Sequence, residues 1–109
     1  MRSPIRTDIK DKKSFERFGY LYEQVLGDDG NHIYLYRLTP LNYEQRYHQY
    51  ELVRGKKYRN PGGETVWVYP CDEDFGTFGW YICGTAEKVV REVSRIWRSF
   101  TNYPPDFSL

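Results

Sequence analysis

The stretch FGYLYEQVLGDDGNHIYLYRL, residues 18–38, decides the fold. Within it, the side chains of Phe18–Val25 alternate between two sets, which is the two-residue period of a strand. The alternation stops at Gly27–Asn31, where Gly, Asp and Asn tolerate positive φ and bond their own backbone. It resumes in Ile33–Leu38. The stretch therefore predicts a β-hairpin.

Four further strand-like runs follow this hairpin along the chain. The clearest is Thr65–Tyr69, which ends at Pro70 because proline lacks the N–H that a ladder needs. Lys56–Arg59 carries lysines of the kind that guard a sheet edge, which favours a short edge strand. The other two runs are Tyr47–Val53 and Trp80–Cys83.

A helix is predicted after the last strand, from Thr85 to about Ser99. Thr85 suits an N-cap because its hydroxyl can accept a bond from an unpaired backbone N–H of the first turn. Apolar residues recur at the spacing of one helix face, namely Ala86, Val89, Val90, Val93, Ile96, Trp97 and Phe100. We therefore expect an α+β domain in which an antiparallel sheet of about five strands packs against one C-terminal amphipathic helix. The other sheet face is expected to be partly wet.

The length of 109 residues fits one domain. Aromatic residues make up 18% of the chain and provide large side chains for a core. Residues 1–13 are mostly charged and are predicted to be a flexible N-terminal tail. The domain is expected over residues 14–103, and residues 104–109, which begin with two prolines, are expected to be a C-terminal tail.

The N-terminal sequence MRSPIRTDIKDKK starts with charge and has no apolar run behind it, so it does not have the pattern of a secretory signal. No stretch approaches the ~18 apolar residues of a membrane span. We therefore expect a cytoplasmic protein with no membrane partner. Cys71 and Cys83 are expected to be free thiols, because disulfides are rare in the cytosol.

Two cysteines and two histidines match the ligand count of a zinc site, but their spacing does not. Neither His32 with His48 nor Cys71 with Cys83 forms the short-range pair that structural zinc sites use. No nucleophile elbow or Gly-rich phosphate loop is present. The acidic run Asp72–Asp74 has the pattern of a solvated loop tip. We predict no metal, no cofactor and no catalytic residue, with an enzyme as the minority interpretation.

Basic and acidic side chains nearly balance, 16 against 15, which argues against a general polyanion binder. Two local basic groups are nevertheless candidates for a nucleic-acid interface. The first group is Arg54, Lys56, Lys57 and Arg59. The second, here called the basic stripe, lies along one side of the predicted helix and consists of Lys88, Arg91, Arg95 and Arg98. An ordinary solvated helix face is the favoured alternative, since Glu87 and Glu92 can pair with the stripe.

Eleven tyrosines are the last feature of the sequence. On the predicted hairpin, Tyr20 and Tyr22 share one face of the first strand, and Tyr34 and Tyr36 share one face of the second. If both pairs lie on the uncovered sheet face, they form an exposed plate of a residue type that is enriched at binding hot spots. The equally weighted alternative is that the rings complete a small core.

The segment Tyr50–Ile96 contains YELV, then VYPCDEDFGTFGW, then the short amphipathic helix. In this it loosely resembles small proteins of unassigned function from bacterial phages and mobile elements. The resemblance covers under half of the chain and brings no known active site with it.

Our first hypothesis is a non-enzymatic protein-binding module, adaptor-like or inhibitor-like, with the hairpin tyrosines as contact residues; a homodimer stays open. The alternative is a nucleic-acid-binding accessory domain that uses the two basic groups.

Overall fold

A computed structural model describes residues 4–109 as one α+β fold. The strands are β1 Ser14–Arg17, β2 Tyr20–Asp28, β3 Ile33–Pro40, β4 His48–Arg54, β5 Lys56–Arg59, β6 Thr65–Val68 and β7 Gly79–Gly84. The helix α1 spans Ala86–Thr101. Five strands form an antiparallel sheet in the order β1-β2-β3-β4-β7, while β5 and β6 form a separate hairpin. The predicted fold class is therefore confirmed, with the Lys56–Arg59 and Thr65–Tyr69 runs placed outside the main sheet.

The predicted hairpin is β2 and β3, which pair from Tyr20 opposite Pro40 to Asp28 opposite Ile33. The register shifts by a bulge between Gln24 and Leu26. The strand β1, which the alternation pattern does not separate from β2, is joined to it by a turn in which Phe18 and Gly19 both have positive φ. Two consecutive positive φ angles match the right-handed twist of a tight hairpin.

One face of the sheet, the helix face, is mainly aliphatic on its strands, with Tyr50 as the exception among its buried strand residues, and is covered by α1. Its sheet residues are Ile33, Leu35, Tyr50, Leu52 and Ile82, and its helix residues are Val89, Val93, Ile96 and Trp97. The helix begins as predicted, because the Thr85 hydroxyl accepts a hydrogen bond from the Lys88 N–H at 3.3 Å. It ends two residues beyond Ser99, with Asn102 in the left-handed conformation that caps helices.

The opposite face, the tyrosine face, holds a second core. Its buried residues are Ile9, Tyr22, Tyr34, Tyr36, Leu38, Val53 and Tyr69. The cover is made of short pieces: the 3₁₀ turn Ile9–Asp11 and the β5–β6 hairpin, which contributes Trp67. Much of the face that the sequence predicts to be partly exposed to water is therefore buried.

The N-terminal segment is part of this second core. Ile9 is completely buried, the Asp8 carboxylate accepts a bond from the Trp67 N–H at 3.1 Å, and the Asn60 side chain accepts one from the Arg6 N–H at 2.8 Å. Packed residues thus extend N-terminally past the predicted boundary at residue 13. Residues 1–3 of the predicted tail lie outside the described residues.

The C-terminal residues also contact the domain. Phe107 packs edge-on against Tyr50, with ring centroids 5.2 Å apart, and adds to the core of the helix face. Residues 104–109 therefore include at least one side chain that belongs to the packed fold. Within residues 4–109, no helix combines the length and apolar character needed to cross a bilayer.

Candidate protein-binding surface

Three of the four predicted contact tyrosines are buried. Tyr22, Tyr34 and Tyr36 keep only 3%, 1% and 0% of their exposure. Each is held by its hydroxyl, which donates to an acceptor within the fold: Tyr36 to the Lys12 carbonyl at 2.6 Å, Tyr34 to Asp29 at 2.6 Å and Tyr22 to Glu51 at 3.2 Å. The predicted exposed plate of Tyr20, Tyr22, Tyr34 and Tyr36 is therefore wrong, and the alternative, that rings complete a small core, describes three of them.

A carboxylate lies among these rings. Glu51 accepts hydrogen bonds from Tyr69 at 2.5 Å and from Tyr22 at 3.2 Å. Burial raises the pKa of Glu51, and the two phenols and Arg17 only partly oppose this. Glu51 is not among the residues predicted from the sequence to form a site, although a lone acid inside the run YELV is a signal that marks it. In this position it serves the second core by satisfying two buried hydroxyls.

The fourth tyrosine, Tyr20, lies at the rim of the tyrosine face, where the cover ends. Its hydroxyl forms a hydrogen bond with the hydroxyl of Tyr43, and the two rings meet edge-on with centroids 6.1 Å apart. Tyr43 belongs to the irregular segment between β3 and β4. A predicted contact residue is thus brought together with one that the strand pattern did not indicate.

Beyond this rim, three tyrosines are strongly exposed: Tyr43 at 58%, Tyr47 at 60% and Tyr81 at 51%. Together with Tyr20 they form what we call the tyrosine patch. Tyr81 reaches it from β7, because it lies opposite Glu51 and so on the tyrosine face. The tyrosine patch is therefore built by the β3–β4 loop and β7, together with Tyr20 from the predicted hairpin.

The patch borders a cleft of about 440 Å³ lined by Tyr43, Glu44, Arg46, Tyr47, Gln49 and Cys83. Beside the cleft, the Tyr81 hydroxyl donates to the side-chain oxygen of Gln49, one of the lining residues, at 2.7 Å. Burial, and next a hydrogen bond with the Cys83 thiol, raise the pKa of Tyr81, so its phenol stays protonated at neutral pH. Tyr81 thus offers the site an aromatic ring held by a hydrogen bond and a neutral hydroxyl.

The position of Tyr43 and Tyr47 has a sequence signal. Both lie in TPLNYEQRYHQ, where Pro40 stops the strand and apolar alternation is lost. An aromatic side chain in such a loop has no partner strand to pack on, and it is more informative about binding than a strand tyrosine.

The two predicted basic groups differ in their surroundings. Arg54 lies 4.3 Å from the Phe100 ring centroid, and Lys56 pairs with Asp74 at 2.9 Å, while Lys57 and Arg59 are exposed on β5. All four residues of the basic stripe are exposed, and Arg95 alone of them forms an ion pair within residues 4–109, with Glu92 at 2.9 Å. Arg54 therefore lies beside α1, whereas Lys57 and Arg59 belong to the β5–β6 hairpin, which packs on the tyrosine face.

The residues with metal or redox chemistry are dispersed. Across the part of the chain that the structure describes, no three His, Cys, Asp or Glu side chains converge on a point that could hold a metal ion. Cys71 and Cys83 are both free thiols, the first exposed and the second half-buried in the cleft.

Comparison with known proteins adds no assignment: no protein family, no curated protein and no solved structure matches this chain.

Proposed function

We propose that this chain is a non-enzymatic protein-binding module that holds its partner through the tyrosine patch. The observation that carries the proposal is that the exposed rings of Tyr43 and Tyr47 line one cleft, while the exposed Tyr81 is hydrogen-bonded to Gln49 of the same cleft. Tyrosine is enriched at binding hot spots because it combines a large apolar ring with a hydroxyl that can pair. A partner that packs on this patch would complete the cover that the tyrosine face lacks at this end.

The geometry of the patch also favours binding. Tyr81 is tied to Gln49, and Tyr20 to Tyr43, before any partner arrives. Side chains that are already ordered lose less conformational freedom on association, which leaves more of the contact energy as affinity. The proposed role is that of an adaptor or inhibitor, which occupies a surface of its partner. A cytoplasmic location and a phage or mobile-element origin stay predictions from the sequence.

A pull-down with matched variants tests this proposal. The patch variant is Tyr43→Ala/Tyr47→Ala/Tyr81→Ala. The control variant is Ile5→Ala, which removes a strongly exposed apolar side chain from the N-terminal segment. Urea unfolding checks that all proteins are folded. Extracts of the source organism are passed over each protein, and bound partners are quantified by mass spectrometry.

We expect at least one partner to bind the wild type and the control equally and the patch variant at least about tenfold less, since removing hot-spot rings costs roughly 2 kcal/mol or more. Identical partner profiles for all three proteins would contradict a binding role of the patch.

A second candidate, a nucleic-acid-binding accessory domain, is favoured by the exposure of all four cations of the basic stripe. It predicts a mobility shift with single- or double-stranded DNA or RNA that weakens steeply between ~50 and ~200 mM salt, because each phosphate contact releases counterions. The variant Arg91→Gln/Arg98→Gln should weaken that shift, and the patch variant should not. Absence of a shift at the lower salt would remove this candidate.

A further inference from the structure

The outer edge of β7 lacks a partner strand. β7 ends the main sheet beside β4, and no other strand of residues 4–109 pairs with its far side. The Arg54 N–H donates to the Phe78 carbonyl at 2.7 Å, which shows that residue 78 turns its backbone toward β4. Backbone groups alternate in direction along an antiparallel strand. Tyr81 and Cys83 therefore present their N–H and C=O groups to the outside.

The open part of this edge has a defined start. The Gly79 carbonyl, which also points outward, accepts a hydrogen bond from the Gly76 N–H at 2.7 Å, and Gly79 forms an isolated bridge with Phe75. The loop before β7 thus covers the first residue of the edge. Residues 80–84 remain available for an added strand.

The two edges of the main sheet differ in their protection. Proteins guard edge strands by short length, charged side chains and proline. β1 has only four residues and includes Glu16 and Arg17. β7 has the six-residue sequence GWYICG, which contains neither charge nor proline. Of the two edge strands, β7 therefore lacks the features that protect an edge from pairing with another strand.

A groove runs between this edge and α1. It has a volume of about 210 Å³, and its lining includes Trp80, Ile82, Lys88, Glu92, Arg95 and Ile96. The Lys88 chain lies along the end of β7, since a Cβ atom on Gly84 would come within 2.9 Å of Lys88 Cδ. Glu92 is paired with Arg95 at 2.9 Å, whereas Lys88 has no ion pair among the described residues. The groove therefore combines apolar side chains with a rim that carries the Glu92–Arg95 ion pair and the positive charge of Lys88.

We infer that the β7 edge binds an extended acidic segment of a partner protein by β-strand addition; this rests on the proposed function. In this mode the backbone of the added strand pairs with Tyr81 and Cys83, and its side chains alternate between the two faces. One set contacts the tyrosine patch. The other set enters the groove, where carboxylates meet Lys88 and Arg95.

A second copy of this chain fits the same edge poorly. Antiparallel pairing of β7 with β7 places both helices on one face of a continuous sheet, side by side across the symmetry axis. The β7 sequence GWYICG carries no carboxylate that could pair with Lys88 of the other copy. Lys88 would stay without a counter-ion, which the carboxylates of an acidic strand supply.

The test selects peptides of about nine random residues, displayed on phage, on the full-length protein, with the Cys83→Pro variant as the counter-selection target. Proline at Cys83 removes one outward N–H and leaves the ladder with β4 intact, as edge strands allow. Cys83→Ala is its matched control. Affinities of synthesised peptides are measured by fluorescence anisotropy.

We expect selected peptides to carry Asp or Glu at alternate positions and to lack proline. Cys83→Pro should weaken binding at least about tenfold relative to Cys83→Ala, which changes the same side chain but keeps the outward N–H. Lys88→Gln/Arg95→Gln should weaken it similarly to Cys83→Pro, while Arg91→Gln/Arg98→Gln, which lies off the groove, should not. Should Cys83→Pro not fold, N-methylation of alternate peptide amides removes the same hydrogen bonds from the peptide side and should abolish binding.

Failure to enrich any peptide, or enrichment of peptides that bind despite N-methylation, would overturn the inference. So would equal loss from both pairs of helix substitutions together with a salt-sensitive nucleic-acid shift, which would assign the stripe to nucleic acid. If peptides fail while the patch variant still loses partners in the pull-down, the inference alone fails. If partner binding is indifferent to the patch as well, the proposed function fails with it.

Discussion

The two faces of the main sheet are covered in different ways. The helix face is mainly aliphatic and lies under one 16-residue helix. The tyrosine face is covered by a 3₁₀ turn and a two-stranded hairpin, which leave one end open. The first face gains stability mainly from apolar burial, which is non-directional. The second also needs a hydrogen-bond partner for every buried phenol.

This difference explains where a binding surface arises. The phenols of Tyr22, Tyr34 and Tyr36 are satisfied by groups that the cover or the adjoining strands provide. Where the cover ends, the tyrosines of the patch bond to each other and to Gln49 instead. A face built from tyrosine can therefore be buried at one end and exposed at the other without leaving unpaired polar groups. An aliphatic face of the same size would instead expose an apolar patch at its uncovered end.

The largest effect is expected on the helix face. Trp97 is 1% exposed, so Trp97→Ala should lower the free energy of unfolding by about 3–5 kcal/mol through lost burial and a residual cavity. Urea titration followed by circular dichroism measures this. The exposed Tyr47→Ala should change stability by no more than about 0.5 kcal/mol. A loss under about 2 kcal/mol for Trp97→Ala would show that α1 contributes less than its burial indicates.

The next effect tests whether the N-terminal segment belongs to the second core. Ile9→Ala should cost about 2–5 kcal/mol, and Ile9→Val about 0.5–1.5 kcal/mol, because Ile9 is completely buried. Ile5→Ala is the control, since Ile5 is 82% exposed and should tolerate the change. Equal, small effects of Ile9→Ala and Ile5→Ala in the same urea titration would indicate that residues 4–13 do not contribute to the fold.

A smaller effect separates the hydrogen bonds of the tyrosine face from its packing. Burial raises the pKa of Tyr36 to about 12, so its phenol is a neutral donor at physiological pH. Tyr36→Phe should cost about 1–3 kcal/mol, because the Lys12 carbonyl then loses this donor. Tyr43→Phe, at an exposed ring, should be nearly neutral in thermal and urea unfolding. If Tyr36→Phe leaves the stability unchanged, the hydrogen bond of Gln24 to the neighbouring Ile9 carbonyl is enough to hold this segment.

The smallest effect concerns Glu51 and pH. Its pKa is raised in the folded state by burial, with Asp72 adding to the rise and Tyr69, Tyr22 and Arg17 opposing it. Its contribution to stability is therefore fully present below its ordinary pKa of 4.5 and is lost as pH rises through the raised value. Wild-type stability should fall relative to Glu51→Gln as the pH rises from 4.5 through the raised pKa of Glu51. If the urea midpoint of the wild type instead rises relative to that of Glu51→Gln as the pH increases, the phenols and Arg17 outweigh burial in setting the pKa of Glu51.

The sequence predicts one of these faces much better than the other. The spacing of Val89, Val93, Ile96 and Trp97 identifies the helix face directly, since period and burial coincide. The alternation of tyrosines predicts strands, but it does not predict which tyrosines are buried and which are exposed, because tyrosine suits both environments. Ile9 is isolated among charges, so no local period marks it. In the main sheet β7 pairs with β4, although the β5–β6 hairpin lies between them in the sequence. A pattern within a few neighbouring residues cannot predict a pairing between strands so far apart.

That skipped hairpin has a consequence for how fast the sheet is completed. β1 to β4 are consecutive neighbours joined by short connections, whereas β7 reaches β4 only after the chain has passed through β5, β6 and the 3₁₀ turn Asp72–Asp74. Closing a longer loop costs more entropy, and contacts between distant residues form later. In the interval, the far side of β4 is an unpaired edge in a partly folded chain, which is a template for pairing between molecules. The rate at which β7 and α1 dock thus sets how much newly made chain reaches the native state rather than aggregates.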